Sequence, residues 1–439
     1  MKAKHLHFLG VALCTLFTTA ESSLAQSLAF TNHTYPAGGG PSCVVAADVN
    51  GDGQLDLISA NQSTNTLTVL TNNGSGSFGF NATLNVGTNP VSVVAANVNS
   101  NGTLYLISAN KGTNTLTVLT NNGSGSFGFN ATLNVGTNPA CVVAADLNGD
   151  GKLDLISANE GANTLTVLTN DGSGIFGFNA TLIVGKSPAS VVAADLNGDG
   201  KLDLISANAG SASLTVLTNN GSGILSSNAM LTVGNYPACV VAADVNGDGK
   251  LDLISANLID STLTVLTNNG RGGFLLSATL PVGKYPAWVA AADLYGDGRL
   301  DLISANSGTN TLTVLTNNGS GVFGSNATWQ VGSAPECVAA PDINSNSRPD
   351  LISANYSDST LTVLTQTLAG PPILTITPAG PNTVVLSWSS LASGFGLQTN
   401  STLTSANWLP ASYPISTNGP NESTTITPTP GNLFFRLKQ

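Results

Sequence analysis

Short apolar runs such as VVAA, DLISA and LTVLT alternate with clusters of Asn, Gly, Ser and Asp from Ser42 to Gln366. Runs this short, bounded by turn-forming residues, predict β-strands rather than helices. The order of the runs then repeats. Asp48, Asn97, Asp146, Asp195, Asp244, Asp293 and Asp342 open equivalent segments, each 49 residues after the last. The stretch from Thr64 to Pro90 even recurs letter for letter from Thr113 to Pro139. Each unit predicts four strands, shown by the first: SCVVAAD, LDLISAN, TLTVLTNN and FGFNATLNVG. Four antiparallel strands per unit describe a propeller blade, whereas a solenoid would need capping repeats for which no sequence is set aside.

The seventh unit ends at TLTVLTQTLAG without a fourth strand, and residues 28–38 align with residues 77–87 in the repeat register. The N-terminal strand is therefore expected to complete the last blade, leaving no open edge. From Gly370 a proline-rich linker enters a different strand pattern, which predicts a small β-sandwich over residues 370–439. Its expected core is Trp388, Phe395, Trp408 and either Phe434 or Phe435. The fold class is thus all-β: a seven-bladed propeller over residues 26–369, then the sandwich.

Composition adds the setting. Charged residues are only 8% of the chain, so helix-forming Glu and Lys are scarce. Lys2 and Lys4 precede the apolar run LHFLGVALCTLF and the small-residue site SLA, which reads as a signal peptide over residues 1–25. No later segment is apolar enough to span a bilayer. The expectation is a secreted or cell-surface monomer, with the periplasm as an alternative. The net charge is −11 and the 13 Lys plus Arg are scattered singly, which argues against nucleic acid as a partner.

The acids are concentrated. Of the 20 aspartates, 17 stand in the segments that open each unit, so these are more than polar turns. In DVNGDGQLD the oxygen-bearing side chains are Asp48, Asn50, Asp52 and Asp56, at loop positions 1, 3, 5 and 9; Gln54 at position 7 offers its backbone carbonyl. Hard oxygen ligands in this number suit calcium. An EF-hand is excluded, because position 12 is Ser59 rather than Glu and the flanks are strands.

The pattern VAADxNGDGxxDLISAN…LTVLTNNGSGxF resembles the FG-GAP or VCBS-type repeat of integrin-α-like propellers. That resemblance implies calcium in the loops between first and second strands, on the face opposite the usual ligand face. Carried over by position, the ligands are Asp48, Asn50, Asp52, Gln54 and Asp56; Asp146, Asn148, Asp150, Lys152 and Asp154; Asp195, Asn197, Asp199, Lys201 and Asp203; and Asp244, Asn246, Asp248, Lys250 and Asp252. The sixth loop has Tyr295 at position 3 but keeps Asp293, Asp297, Arg299 and Asp301, giving about five ions in all. The seventh, with Asn346 and Ser347, is expected to bind weakly or not at all. The second loop, NVNSNGTLY, replaces all three acids by Asn97, Asn101 and Tyr105 and is expected to be metal-free, held by amide hydrogen bonds. The C-terminal part resembles small immunoglobulin- or fibronectin-like modules of secreted bacterial proteins.

Cys43, Cys141, Cys239 and Cys337 share one repeat position in units 1, 3, 5 and 7. Only units 7 and 1 are ring neighbours, so a Cys43–Cys337 disulfide is expected; four buried free thiols are the alternative. The face away from the acids varies most between units and carries Tyr236, Tyr285 and Trp288, candidates for gripping a glycan or a protein, though Trp288 fits a plug of the central channel better. His33 is the one histidine after the signal segment, and no catalytic set is evident. The expectation is an extracellular binding or adhesion module rather than an enzyme, with a secreted polysaccharide lyase or hydrolase as the alternative.

Overall fold

The computed structural model describes residues 28–366, 374–380, 383–389, 396–400, 408–418, 421–427 and 434–438. The expected signal segment, Phe395 and most of the linker lie outside these residues. Thr31–Thr365 form one compact unit; the other contains Gln366–Gln439.

In the larger unit the chain forms seven four-stranded antiparallel sheets. The first uses Pro41–Ala47, Asp56–Asn61, Thr66–Asn72 and Phe78–Asn85 in that order. The last joins Pro335–Ala339, Leu351–Asn355 and Thr360–Gln366 to the N-terminal strand Phe30–Pro36, the closure that the repeat register predicts. First strands of successive sheets pack against one another around a ring, and that of the seventh packs back on that of the first. The architecture is a seven-bladed propeller.

The alternation seen in sequence becomes burial. The second strand is buried throughout, from Asp56 to Asn61, whereas the fourth is half-buried or exposed throughout as the outer rim. Between blades lies apolar packing, as where Val44, Leu57 and Ile58 meet Val93, Leu106 and Ile352. Within each blade the motif ISAN…TLT forms a closed polar network: Ser59 donates to Asn61, whose amide donates to Thr66 and Thr68 at 3.2 and 2.9 Å. Equivalent bonds recur in every blade through Asn110, Asn159, Asn208, Asn257, Asn306 and Asn355. Satisfied in this way, buried polar side chains fix register instead of destabilising the core.

In the smaller unit one sheet joins Thr375–Gly380, Thr383–Ser389, Asn421–Ile426 and Ser416–Asn418, and a second joins Leu409–Pro410, Gly396–Asn400 and Phe434–Lys438. Both contribute to one buried cluster that includes Leu386, Trp388, Leu397 and Phe435. Trp408 stays half-buried beneath Arg436, whose Cζ lies 4.4 Å from the ring centre.

Candidate functional site

Each acidic loop is built by its own side chains folding back on its backbone. In the first, Asp48 accepts the amides of Gly51 and Gly53 at 2.7 and 2.9 Å, Asn50 that of Asp52, and Asp52 that of Gln54. Gly51 and Gly53 have φ of 78° and 82°, a conformation that glycine adopts without strain. The third, fourth and fifth loops repeat the set through Asp146, Asp195 and Asp244.

Position 9 behaves differently. Asp56 is fully buried, and its oxygens accept the amides of Val49, at the loop entry, and Asn72, at the end of the third strand, at 3.2 and 2.8 Å. Asp154, Asp203, Asp252 and Asp301 do the same. Burial pushes these carboxyls above their ordinary range, Asp301 to about 6, while the amides pull the other way; the acids at positions 5 and 1 add a smaller upward push. Sequence groups position 9 with the metal ligands; the structure adds that it ties the loop entry to the end of the third strand. Among the described residues no three Asp, Glu, His or Cys side chains gather as a metal cage. Side-chain oxygens from positions 1, 3 and 5 and the position-7 carbonyl offer a donor set for a cation, and the position-9 carboxylate is already bonded to two backbone amides. All are hard oxygens on a glycine-bent loop, which fits calcium.

A second device escaped the sequence reading. Asn72, at the end of the third strand, donates to Leu55 in its own blade and to Ile343 in the blade before it, at 3.0 and 2.7 Å. Asn121, Asn170, Asn219, Asn268 and Asn317 likewise reach the preceding loop. The signal was present as an Asn invariant across the first six units at one position of the NNG or NDG turn. The acidic loops are thus part of the contact between blades.

The second loop carries its amide bonds as expected: Asn101 accepts the amide of Thr103, and Asn99 donates to the Tyr105 hydroxyl at 2.8 Å. Asn97, which replaces the position-1 acid, has a buried carbonyl oxygen without a partner.

The disulfide expected between Cys43 and Cys337 is not formed. All four cysteines are buried free thiols, and each points around the ring to the next blade. Cys43 donates to Val93 O at 3.9 Å, Cys141 to Val191 O at 3.8 Å, and Cys337 to Val44 O at 3.7 Å. Ser92 and Ser190, in alternate blades, accept the equivalent amides of Val142 and Val240. Cys43 and Cys337 do touch, thiol to thiol, but backbone bonds hold both. Burial raises Cys141 to about 11 and Cys239 to about 12, so neither is a thiolate at neutral pH. Thiol titration of the denatured, unreduced protein is expected to find every cysteine reactive and the native protein none; two missing thiols after denaturation would restore the disulfide.

On the opposite face, loops before first strands meet those between second and third strands: Leu258 N donates to Tyr236 O, and Ser307 N to Tyr285 O. Tyr236 and Tyr285 are 38% and 50% exposed, beside Ile259 at 59%. Both tyrosines have a left-handed backbone, φ 57° and 55°, at the position where other blades place Gly40, Asn89, Asn138, Ser187 and Ala334. Tyr285 lies over Gly308, where an added Cβ would meet its ring at 2.5 Å. Lys111 and Glu160 of neighbouring blades form an ion pair on this face. Trp288 instead lines an axial cavity of about 500 Å³ walled by valines, cysteines and serines of the first strands.

The description of an FG-GAP-like repeat matches six overlapping segments, residues 48–108, 97–157, 146–206, 195–255, 244–304 and 293–353. No curated protein matches the sequence. Among solved structures, BBS1N in complex with ARL6DN superposes with a TM-score of 0.56 at 15% identity, over 78% of this chain and 98% of that one. Virginiamycin B lyase from Staphylococcus aureus gives 0.54 at 14%, over 76% and 99%. A putative 6-phosphogluconolactonase from Bacteroides fragilis gives 0.54 at 16%, over 68% and 86%. At these identities the likeness is one of fold.

Proposed function

The chain belongs to the FG-GAP-like repeat family, and from that premise we propose that it is a secreted, calcium-stabilised binding module whose ligand, a glycan or a protein, sits on the face opposite the acidic loops. One observation carries the placement: Tyr236 and Tyr285 hold exposed aromatic rings on a backbone conformation that bulky residues disfavour. Strain of this kind costs about 1–3 kcal/mol per residue and tends to persist where a surface has work to do. Two amphipathic rings beside Ile259 provide flat faces to stack on sugar rings or to anchor a protein contact.

In the first, third, fourth and fifth loops calcium would be held by positions 1, 3, 5 and the position-7 carbonyl. When bound, it would supply positive charge to a loop whose acids repel one another. Binding rather than catalysis is supported by the site chemistry: His33 stands exposed on the closing strand, and the cysteine thiols are buried and engaged with backbone. BBS1N, which shares the fold, is found with a protein bound.

Substituting Tyr236→Asn together with Tyr285→Asn tests the placement, because asparagine accepts the left-handed conformation. In a glycan and protein binding screen the double variant is expected to lose roughly tenfold or more in affinity for whatever the parent binds. Its melting temperature should stay level or rise as strain is relieved. Unchanged binding would move the ligand elsewhere, and product release from a polysaccharide would overturn the binding reading.

A further inference from the structure

We infer that the sixth loop takes its positive charge from Arg348 of the seventh loop, a guanidinium standing in for the calcium ion that the other acidic loops would bind. This rests on the calcium reading above and corrects the sixth loop's place in it. The argument begins with position 7. In the third, fourth, fifth and sixth loops a Lys or Arg there leans on the position-5 carboxylate of its own loop, as Lys250 does on Asp248 at 3.2 Å and Arg299 on Asp297 at 3.7 Å.

In the seventh loop position 5 is Asn346, so Arg348 has no such acid beneath it. Its guanidinium crosses to the sixth blade and lies against Gly296, at position 4 of that loop. A Cβ placed on Gly296 would come within 2.6 Å of Arg348 Cζ, so glycine is required for the approach. Arg348 Nη1 is buried with no hydrogen-bond partner. Burial pushes the Arg348 guanidinium below its ordinary pKa range, and Asp293 and Asp297 push it back up through space. Arg299 is the other cation close to these acids.

The two sequence departures are therefore complementary. The sixth loop lacks the position-3 amide oxygen, having Tyr295, and is the poorest calcium cradle of the five acidic ones; the seventh lacks an acid, which releases an arginine. A cation tethered by the chain needs no binding from solution. A buried, unpartnered donor is tolerated because neighbouring acids offset part of its desolvation.

Two variants of the full-length protein, Arg348→Gln and Asp297→Asn, and their combination test this. With calcium present, titration calorimetry is expected to count one more ion in Arg348→Gln than in the parent. In EDTA, Arg348→Gln should lower the melting temperature by about 3–5 °C in the parent but far less when Asp297 is already Asn. A parent whose ion count falls by one on Asp297→Asn has a calcium ion in the sixth loop, which overturns the inference. So does an Arg348→Gln effect in EDTA that ignores Asp297. If no variant binds calcium, the earlier reading fails, while coupling between the two residues in EDTA still supports the arginine as the loop's cation.

Discussion

Chelation by EDTA is expected to lower the melting temperature of the propeller by on the order of 10 °C or more, and added calcium to restore it. Three carboxylates per loop, at positions 1, 5 and 9, lie within electrostatic reach of one another, as the upward push of Asp52 and Asp48 on Asp56 records. A cation held by the folded loop alone stabilises it by about 2.7 kcal/mol at a free concentration 100-fold above its dissociation constant. Four such loops contribute together because each is bonded through an asparagine to the following blade. A change of about 1 kcal/mol moves the midpoint of a domain this large by a few degrees, and about 10 kcal/mol therefore by tens at most. Because extracellular calcium modules bind in roughly the 0.1 to 1 mM range, the restoring titration belongs in that window. A transition indifferent to EDTA would leave the acidic loops as structural turns.

The second large effect separates ligands from latches. Asp203→Ala removes the acceptor of two amides, those of Leu196 and Asn219, at a fully buried position. An orphaned buried donor costs about 1–3 kcal/mol, so about 3–5 kcal/mol of stability should be lost, with calcium or without it. Asp199→Asn, four residues earlier, keeps the turn-forming oxygen that accepts the Lys201 amide. Its destabilising effect should appear in calcium-loaded protein, while in EDTA, where it relieves repulsion between the loop's acids, stability should hold or rise. Denaturant unfolding of both variants in calcium and in EDTA gives the comparison. If Asp203→Ala were harmless in EDTA, position 9 would be a metal ligand first and the latch a by-product.

What could be read from sequence follows from which forces leave a periodic trace. Alternating Val, Leu and Thr with Asn-Gly punctuation gave the strands, and the missing fourth strand of the seventh unit pointed to Phe30–Pro36 as its replacement, as found. The acidic loops were equally visible, since oxygen ligands and Asx turns use the same residues at the same spacing. That identity also hides the latch at Asp56: an aspartate every 49 residues looks alike whether it meets a metal, two backbone amides or both. The Asn72 and Arg348 contacts cross from blade to blade, and local pattern holds no record of a partner 271 residues away in sequence, as Ile343 is from Asn72. For Cys43 and Cys337, ring adjacency predicted contact correctly, but the side chains were claimed by the neighbouring backbone, as serine is in the blades between.

The central claim is that, in the parent chain, calcium is bound by the oxygen-lined loops whose positions 1, 3 and 5 are intact, the sixth loop taking its charge from Arg348 instead. Its most direct test is the number of calcium ions held per full-length chain, above the free calcium outside, after equilibrium dialysis against about 10 mM calcium, measured by atomic emission. The account predicts four, from the loops that begin at Asp48, Asp146, Asp195 and Asp244. A count of zero, or of five or more, would contradict it.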